Sequence, residues 1–67
     1  MPIVRIEWFK GRTNDQKEAV AKAITEVMQT HAQVKPESLI IVFDDVERDN
    51  WATAGRLASR PDPGSRT

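Results

Sequence analysis

The sequence predicts a small α+β fold, in which a βαβ unit with parallel strands precedes a short C-terminal hairpin. Three patterns support this prediction. Apolar and charged side chains alternate over residues 2–9, which is typical of a strand with one core face. Residues 13–31 carry apolar side chains at helical spacing, and residues 39–43 form a continuous apolar run that is typical of a strand buried on both faces. Strand, helix and strand in this order predict a right-handed crossover.

The first predicted strand, residues 2–9, has one apolar face and one mixed face. The mixed face carries, in order, Ile3, Arg5, Glu7 and Phe9. Because this face is only partly polar, we expect it to meet another subunit rather than open water.

The predicted helix begins at a capping box. Thr13 is a suitable N-cap residue, and Gln16 stands three positions later, where its side chain can bond back to the N-cap amide. We expect the helix to run to about His31, because Pro36 excludes its continuation. The helical spacing predicts one apolar stripe, which consists of Ala19, Val20, Ala23, Ile24, Val27 and Met28.

The C-terminal part of the chain is less regular. The acidic and then mixed residues 44–48 indicate a loop, and residues 50–55 can hold a turn or a small hairpin. The last eight residues, 60–67, contain two Pro and one Gly. We therefore expect residues 1–67 to form a single domain with a flexible tail from about residue 60.

Length and composition indicate an oligomer. The chain has 67 residues, no Cys and one His, which excludes disulfides, thiolate metal sites and multi-His metal sites. A chain of this size buries only roughly 60% of its unfolded surface, so it usually needs disulfides, a metal or a partner chain to be stable. Two strands and one helix also cannot cover both faces of residues 39–43. A second chain is the simplest way to cover the face that remains open.

Composition also narrows the function classes. Ten basic and ten acidic side chains give a net charge of zero, which argues against nucleic acid as a partner. No apolar run approaches the roughly 20 residues that cross a bilayer, and the N-terminus does not have the pattern of a signal peptide. We therefore expect a cytoplasmic protein without a nucleic-acid or membrane partner.

Familiar catalytic motifs are absent from the sequence, which contains no Gly-rich phosphate loop, no nucleophile elbow and no Cys/His pair. We interpret His31 as a surface residue near the helix C-terminus and Met28 as part of the core. Asp44 and Asp45 are adjacent on an extended segment, so their side chains should point apart, and we interpret both as part of a solvated loop. We expect no metal and no cofactor.

Pro2 is a candidate catalytic base. Methionine aminopeptidases generally remove Met before a small residue such as proline, and removal of Met1 would leave Pro2 with a free secondary amine. A free α-amino group titrates at about 7.7–8.0, and desolvation or a nearby cation lowers that pKa further. A base with a pKa near neutral pH suits general acid–base catalysis.

Three features together resemble the 4-oxalocrotonate tautomerase family over roughly residues 2–58. The chain opens with MPIV, so that proline follows the initiator Met. Residues 11–17, GRTNDQK, match the Gly-Arg-(Ser/Thr)-x-(Glu/Asp)-Gln-Lys run that opens the family's helix at this distance. Asn50, Trp51 and Gly55 fall where the family has an aromatic residue and a glycine-containing hairpin.

The resemblance implies a cofactor-independent tautomerase, an isomerase that interconverts enol and keto forms of an unsaturated 2-hydroxy or 2-oxo acid. It implies that Pro2 is the general base and then acid, and that Arg12 binds a substrate carboxylate. Trp51 would wall the site and keep the Pro2 amine deprotonated. Family members of this length form hexamers, trimers of dimers, whose sites are shared between chains. A homohexamer is therefore expected, with a hetero-oligomer as the alternative.

The chain departs from the family's pattern at Ile40. By register from Ser38, this position carries an arginine in the best-known members, where it polarises the substrate's oxo group. An isoleucine cannot stabilise a developing enolate, although Ile40 would still line the substrate site. Either a different subunit supplies the cation, or an arginine of this chain does. The candidate arginines are Arg5, Arg48 and Arg56.

Two alternative functions remain open. The same scaffold hosts dehalogenases and hydratases, which activate water with a carboxylate near the proline. The dehalogenases place a glutamate just beyond the aromatic residue, where this chain has Thr53, although Asp44, Asp45 or Glu47 could act instead. The second alternative is an oligomeric module without catalysis.

Overall fold

The computed structural model describes residues 1–60, so the predicted tail lies outside the described residues except at its first residue. Two one-turn 3-10 helices, Pro36–Ser38 and Arg48–Asn50, precede the second and third strands. The main elements in chain order are β1 (Ile3–Phe9), α1 (Asn14–Ala32), β2 (Ile40–Val46), β3 (Ala52–Thr53) and β4 (Arg56–Leu57).

Strands β1 and β2 pair in parallel, as predicted. The register runs from Ile3 opposite Ile40 to Phe9 opposite Val46. One further hydrogen bond extends the ladder at each end: the Ile40 amide donates to the Pro2 carbonyl at 3.1 Å, and the Lys10 amide donates to the Val46 carbonyl at 2.9 Å. The sheet therefore has an N-terminal edge beside Pro2 and a C-terminal edge beside Lys10.

The second strand is longer than the apolar run predicts. The loop prediction for residues 44–48 is wrong for its first three residues, which belong to β2. Asp45 pairs with Trp8 in the ladder, and the Trp8 indole hydrogen-bonds the Asp45 carboxylate. Pairing with β1 and this side-chain contact outweigh the low strand propensity of aspartate. At the other end, Leu39 closes a 3-10 turn instead of starting the strand.

Both ends of α1 are capped. The Gln16 amide donates to the Thr13 hydroxyl at 3.1 Å, and the Thr13 amide donates to the Gln16 side chain at 2.9 Å, which confirms the predicted capping box. The helix ends one residue beyond His31, where Gln33 adopts the left-handed conformation with φ of 53°. The Val34 amide then donates to the Met28 carbonyl at 3.3 Å, which closes the C-terminus.

The predicted apolar stripe of α1 is divided between two environments. Val20, Ile24 and Met28 are half-buried on the side of α1 from which Lys17 contacts β2. Val27 is 56% exposed, and Ala19 and Ala23 are exposed as well. One chain therefore covers only part of the apolar surface that the sequence provides.

A two-residue turn joins β3 and β4, which confirms the predicted hairpin. Thr53 pairs with Arg56 in antiparallel fashion, and the turn residues Ala54 and Gly55 have φ of 53° and 81°. Positive φ at both central positions is the signature of the hairpin turn that matches strand twist. Glycine adopts this conformation readily, whereas Ala54 adopts it at a cost.

No residue among 1–60 is fully buried within the single chain. Residues 39–43 are accordingly not buried on both faces, because α1 lies on one face only: Ile40 is 43% exposed, and its cross-strand neighbour Ile3 is 57% exposed. Within the same residues, no helix combines the length and the apolar character that crossing a membrane requires.

Candidate active site

The N-terminal edge of the sheet brings together Pro2 and Ile40. Pro2 is half-buried and directly precedes β1, and its carbonyl accepts the hydrogen bond from the Ile40 amide. This bond fixes the proline at the sheet edge, while the proline nitrogen takes no part in the ladder. Ile3 follows Pro2 in the chain and pairs with Ile40 in the ladder, and both isoleucine side chains are exposed at this edge.

Arg12 lies at the opposite, C-terminal edge. Gly11 turns the chain after β1 with φ of 141°, a conformation that favours glycine. The Arg12 Nη1 atom then donates to the Phe9 carbonyl at 3.0 Å, and its guanidinium lies 4.5 Å from the centre of the Trp8 ring. The guanidinium is therefore held against the last residues of β1.

Trp51 also belongs to the C-terminal edge. Its ring lies 4.6 Å from that of Phe9 at an angle of 50°. Arg48 also contacts the Phe9 ring, and its guanidinium lies 4.1 Å from the ring centre. Arg12 and Trp8 thus lie on one face of the end of β1, and Arg48, Phe9 and Trp51 lie on the other.

The predicted site residues fall into two groups that a single chain keeps apart. Pro2 and Ile40 share one edge of the sheet, and Arg12 and Trp51 share the other. Seven residues of β1 separate the edges, and a strand rises about 3.3 Å per residue, so the separation is roughly 20 Å. One small substrate cannot bridge this distance, and the chemical roles of all four residues stay predictions.

Asp45 is a half-buried residue of β2, so the prediction of a solvated loop is wrong for it. The Trp8 Nε1 atom donates to Asp45 Oδ1 at 2.7 Å, and Lys17 forms a close ion pair with Oδ2. These two hydrogen bonds, the one from Lys17 foremost, lower the pKa of the Asp45 carboxyl. Asp44 is exposed and points to the other face, as predicted for adjacent residues on an extended segment.

The sequence contains a weak indication of the contact between Asp45 and Trp8. Ile41, Phe43 and Asp45 continue one period-two pattern, so a strand extended past Phe43 puts the aspartate on the helix-facing side. Only the register shows that Trp8 stands opposite. The Trp8 ring also stacks on Phe43, with centroids 5.3 Å apart.

The remaining sequence candidates are spread along the chain. Arg5 is exposed on β1 opposite Val42, and Arg56 is in β4 opposite Thr53. His31 is exposed in the last turn of α1, as expected.

An open groove of about 380 Å³ lies at the C-terminal edge, between the loop after β1 and the loop after β2. An ion pair of 3.0 Å between Lys10 and Glu47 joins the two loops. In residues 1–60, no three His, Cys, Asp or Glu side chains come close enough together to hold a metal ion. The groove is lined by Lys10, Gly11, Val46, Glu47, Arg48 and Asp49.

Comparison with known proteins gives consistent results. The family model for tautomerase enzymes matches residues 2–60. A probable tautomerase of Ralstonia nicotianae is 40% identical over 65 residues, which cover 97% of this chain and 98% of that protein. A 2-hydroxymuconate tautomerase of Bacillus subtilis is 27% identical over 59 residues, which cover 88% of this chain and 95% of that protein.

A solved structure of a 4-oxalocrotonate tautomerase homologue superimposes with a TM-score of 0.85. The match covers 92% of this chain and 98% of that one at 24% sequence identity, and it therefore supports the fold.

Proposed function

The chain belongs to the tautomerase family, and from this premise we propose that it is a cofactor-independent isomerase of unsaturated 2-hydroxy and 2-oxo acids. After removal of Met1, the Pro2 amine accepts the proton of the enol hydroxyl. The resulting ammonium returns a proton to a carbon of the conjugated chain, and the keto form leaves. Each turnover moves one proton and consumes none, so no cofactor is required.

The observation that carries the proposal is the setting of Pro2. Its carbonyl is bonded to the Ile40 amide, so the ring is fixed at the sheet edge beside two exposed isoleucine side chains. An apolar neighbourhood disfavours the charged ammonium and lowers the pKa of the free amine. Lowering this pKa towards neutrality makes the amine an effective base at physiological pH.

The second part of the proposal concerns substrate binding. Arg12 binds the substrate carboxylate, because its guanidinium offers a planar pair of donors that match the two carboxylate oxygens. Trp51 packs against the conjugated chain and excludes water. Both residues lie roughly 20 Å from Pro2 of their own chain. A complete site therefore takes Pro2 and Ile40 from one chain and Arg12 and Trp51 from a neighbour.

Sharing the site in this way requires an oligomer, for which we propose a homohexamer arranged as a trimer of dimers. The exposed apolar side chains of Ile3, Val27 and Ile40 support this part of the proposal, because a lone chain gains nothing by exposing them. Assembly would also supply the core that the single chain lacks.

Arg48 is the best candidate for the cation that Ile40 does not provide. Its guanidinium lies on the Phe9 ring, which in turn contacts Trp51, so it lies at the same edge of the sheet as Arg12. Arg5 lies on β1 opposite Val42, away from this edge of the sheet. We assign to Arg48 the stabilisation of the negative charge that develops on the enolate oxygen.

The test is a pH–rate profile for ketonisation of phenylenolpyruvate, using protein whose intact mass confirms removal of Met1. We expect the rate to rise with pH through a pKa below that of a free proline amine. Pro2→Ala, which keeps a free primary amine, should lower kcat about a hundredfold or more. An N-terminal extension that leaves Pro2 as an amide should abolish the rate.

Full activity in the extended protein would refute Pro2 as the base, because an amide nitrogen has no basic lone pair. Absence of turnover above buffer, with Pro2 free, would favour the non-catalytic module. Halide release from a haloacrylate without ketonisation would favour the dehalogenase alternative.

A further inference from the structure

Arg12 is an exposed, long side chain whose position depends on few contacts. One of its five N–H donors is used by the Phe9 carbonyl at 3.0 Å. Its other contact is the face of the Trp8 indole, 4.5 Å from the guanidinium carbon to the ring centre. Within residues 1–60 it forms no ion pair with a carboxylate, so its charge is available to a ligand.

The Trp8 indole is itself held on two sides. Its Nε1 atom donates to Asp45 Oδ1 at 2.7 Å, and its ring stacks on Phe43 at an interplanar angle of 16°. The second carboxylate oxygen of Asp45 is bound by Lys17 from α1. The indole is therefore fixed by two residues of β2, one of which Lys17 of α1 holds in turn.

The hydrogen bond to Asp45 also acts on the electronic character of the ring. Donation of the indole N–H to a carboxylate raises the electron density of the ring face, and hydrogen-bonded groups polarise one another. A ring face of higher electron density attracts a guanidinium more strongly. The negative charge of Asp45 attracts Arg12 in addition, because the two groups interact electrostatically.

We propose that Trp8 is the positioning residue of Arg12, and that Asp45 fixes the indole that performs this task. The inference rests on the proposed function, in which Arg12 binds the substrate carboxylate. Trp8 touches no substrate in this scheme. It restricts the guanidinium to one of the many rotamers that an exposed arginine samples, so that binding costs less side-chain entropy.

The experiment measures kcat and KM for phenylenolpyruvate in four variants and in one double variant. Trp8→Leu removes the ring face and is expected to raise KM about three- to fivefold with little change in kcat, as loss of an exposed cation–π contact predicts. Trp8→Phe keeps a ring but loses the bond to Asp45, and we expect a smaller rise. Arg12→Ala should raise KM at least as much as Trp8→Leu.

The double variant of Trp8→Leu and Arg12→Ala separates positioning from general damage. If Trp8 acts through Arg12, the double variant has the KM of Arg12→Ala alone. Ile6→Ala is the matched control, because it removes a half-buried apolar side chain from the same face of β1 without a contact to Arg12. We expect Ile6→Ala to lower the free energy of unfolding and to leave KM unchanged.

Three outcomes would overturn the inference. A wild-type KM in Trp8→Leu, together with a raised KM in Arg12→Ala, would refute the role of Trp8 and leave the proposed function standing. An equal rise in KM from Trp8→Leu with and without Arg12 would indicate a structural role only. An unchanged KM in Arg12→Ala would refute the carboxylate role of Arg12, and the positioning of Arg12 with it. If Trp8→Leu fails to fold, the same comparisons apply to Trp8→Phe.

Discussion

Asp45 links three elements through one carboxylate. It accepts hydrogen bonds from Lys17 of α1 and Trp8 of β1, while it belongs to β2. The hydrogen bond from Lys17, and after it the one from Trp8, favour the ionised form of Asp45. The pKa of the Asp45 carboxyl in the folded protein therefore lies below its ordinary value of 3.8. The stabilisation is therefore present above the unfolded pKa and is lost as pH falls through the lower folded pKa.

Asp45→Asn should accordingly destabilise the protein at neutral pH and much less in acid. We expect a lower free energy of unfolding at pH 7 than in the parent, and a difference that shrinks as the pH is lowered and the parent carboxyl becomes protonated. Urea titrations at pH 7 and at an acidic pH, at one protein concentration, provide the measurement. Asp44→Asn is the control, because Asp44 is exposed and outside this network. An equal loss at both pH values would show that charge is not the cause.

At the level of elements, local patterns predicted the start of α1 better than the end of β2. The capping box at Thr13 specified the start of α1, because both of its hydrogen bonds are made within four residues. The end of β2 was missed, because the partner that makes Asp45 acceptable in a strand is distant in sequence. Strand ends of this kind depend on register, which no local pattern encodes.

The C-terminus of α1 allows a test of how much the left-handed conformation of its last cap residue costs in stability. Gln33 occupies the left-handed region with φ of 53°, which costs a side chain about 1 kcal/mol relative to glycine. Gln33→Gly should therefore stabilise the protein by about 1 kcal/mol. Gln29→Gly, four residues earlier on an exposed position within α1, should destabilise it by about 1 kcal/mol. Urea denaturation measures both, and changes of the same sign would contradict the capping argument.

For the whole molecule, the sequence predicted candidate site residues but not their arrangement. Proline at position 2 and the GRTNDQK run indicated Pro2 and Arg12 through resemblance to a family. Their separation within a chain follows from the length and the parallel direction of β1 and β2, which only the register establishes. The absence of buried residues among 1–60 is likewise a property of the folded chain.

Mixed assemblies test whether sites are shared. Pro2→Ala and Arg12→Ala proteins should each have low kcat/KM, and co-refolding of equal amounts should raise it above both. With random mixing, about a quarter of shared sites receive the intact residue from each neighbour. Each variant refolded alone is the control. No gain after verified subunit exchange would show that one chain supplies both residues.

Because β1 and β2 run in parallel, the two edges of the sheet determine how many active sites one defective chain inactivates. In the proposed shared-site assembly, each chain contributes to two sites, one at each edge of its sheet, roughly 20 Å apart. In such an assembly, a chain whose site residues are defective at one edge inactivates one site. A chain whose site residues are defective at both edges inactivates two. A doubly defective copy, expressed beside a normal one, would therefore act as a dominant inhibitor.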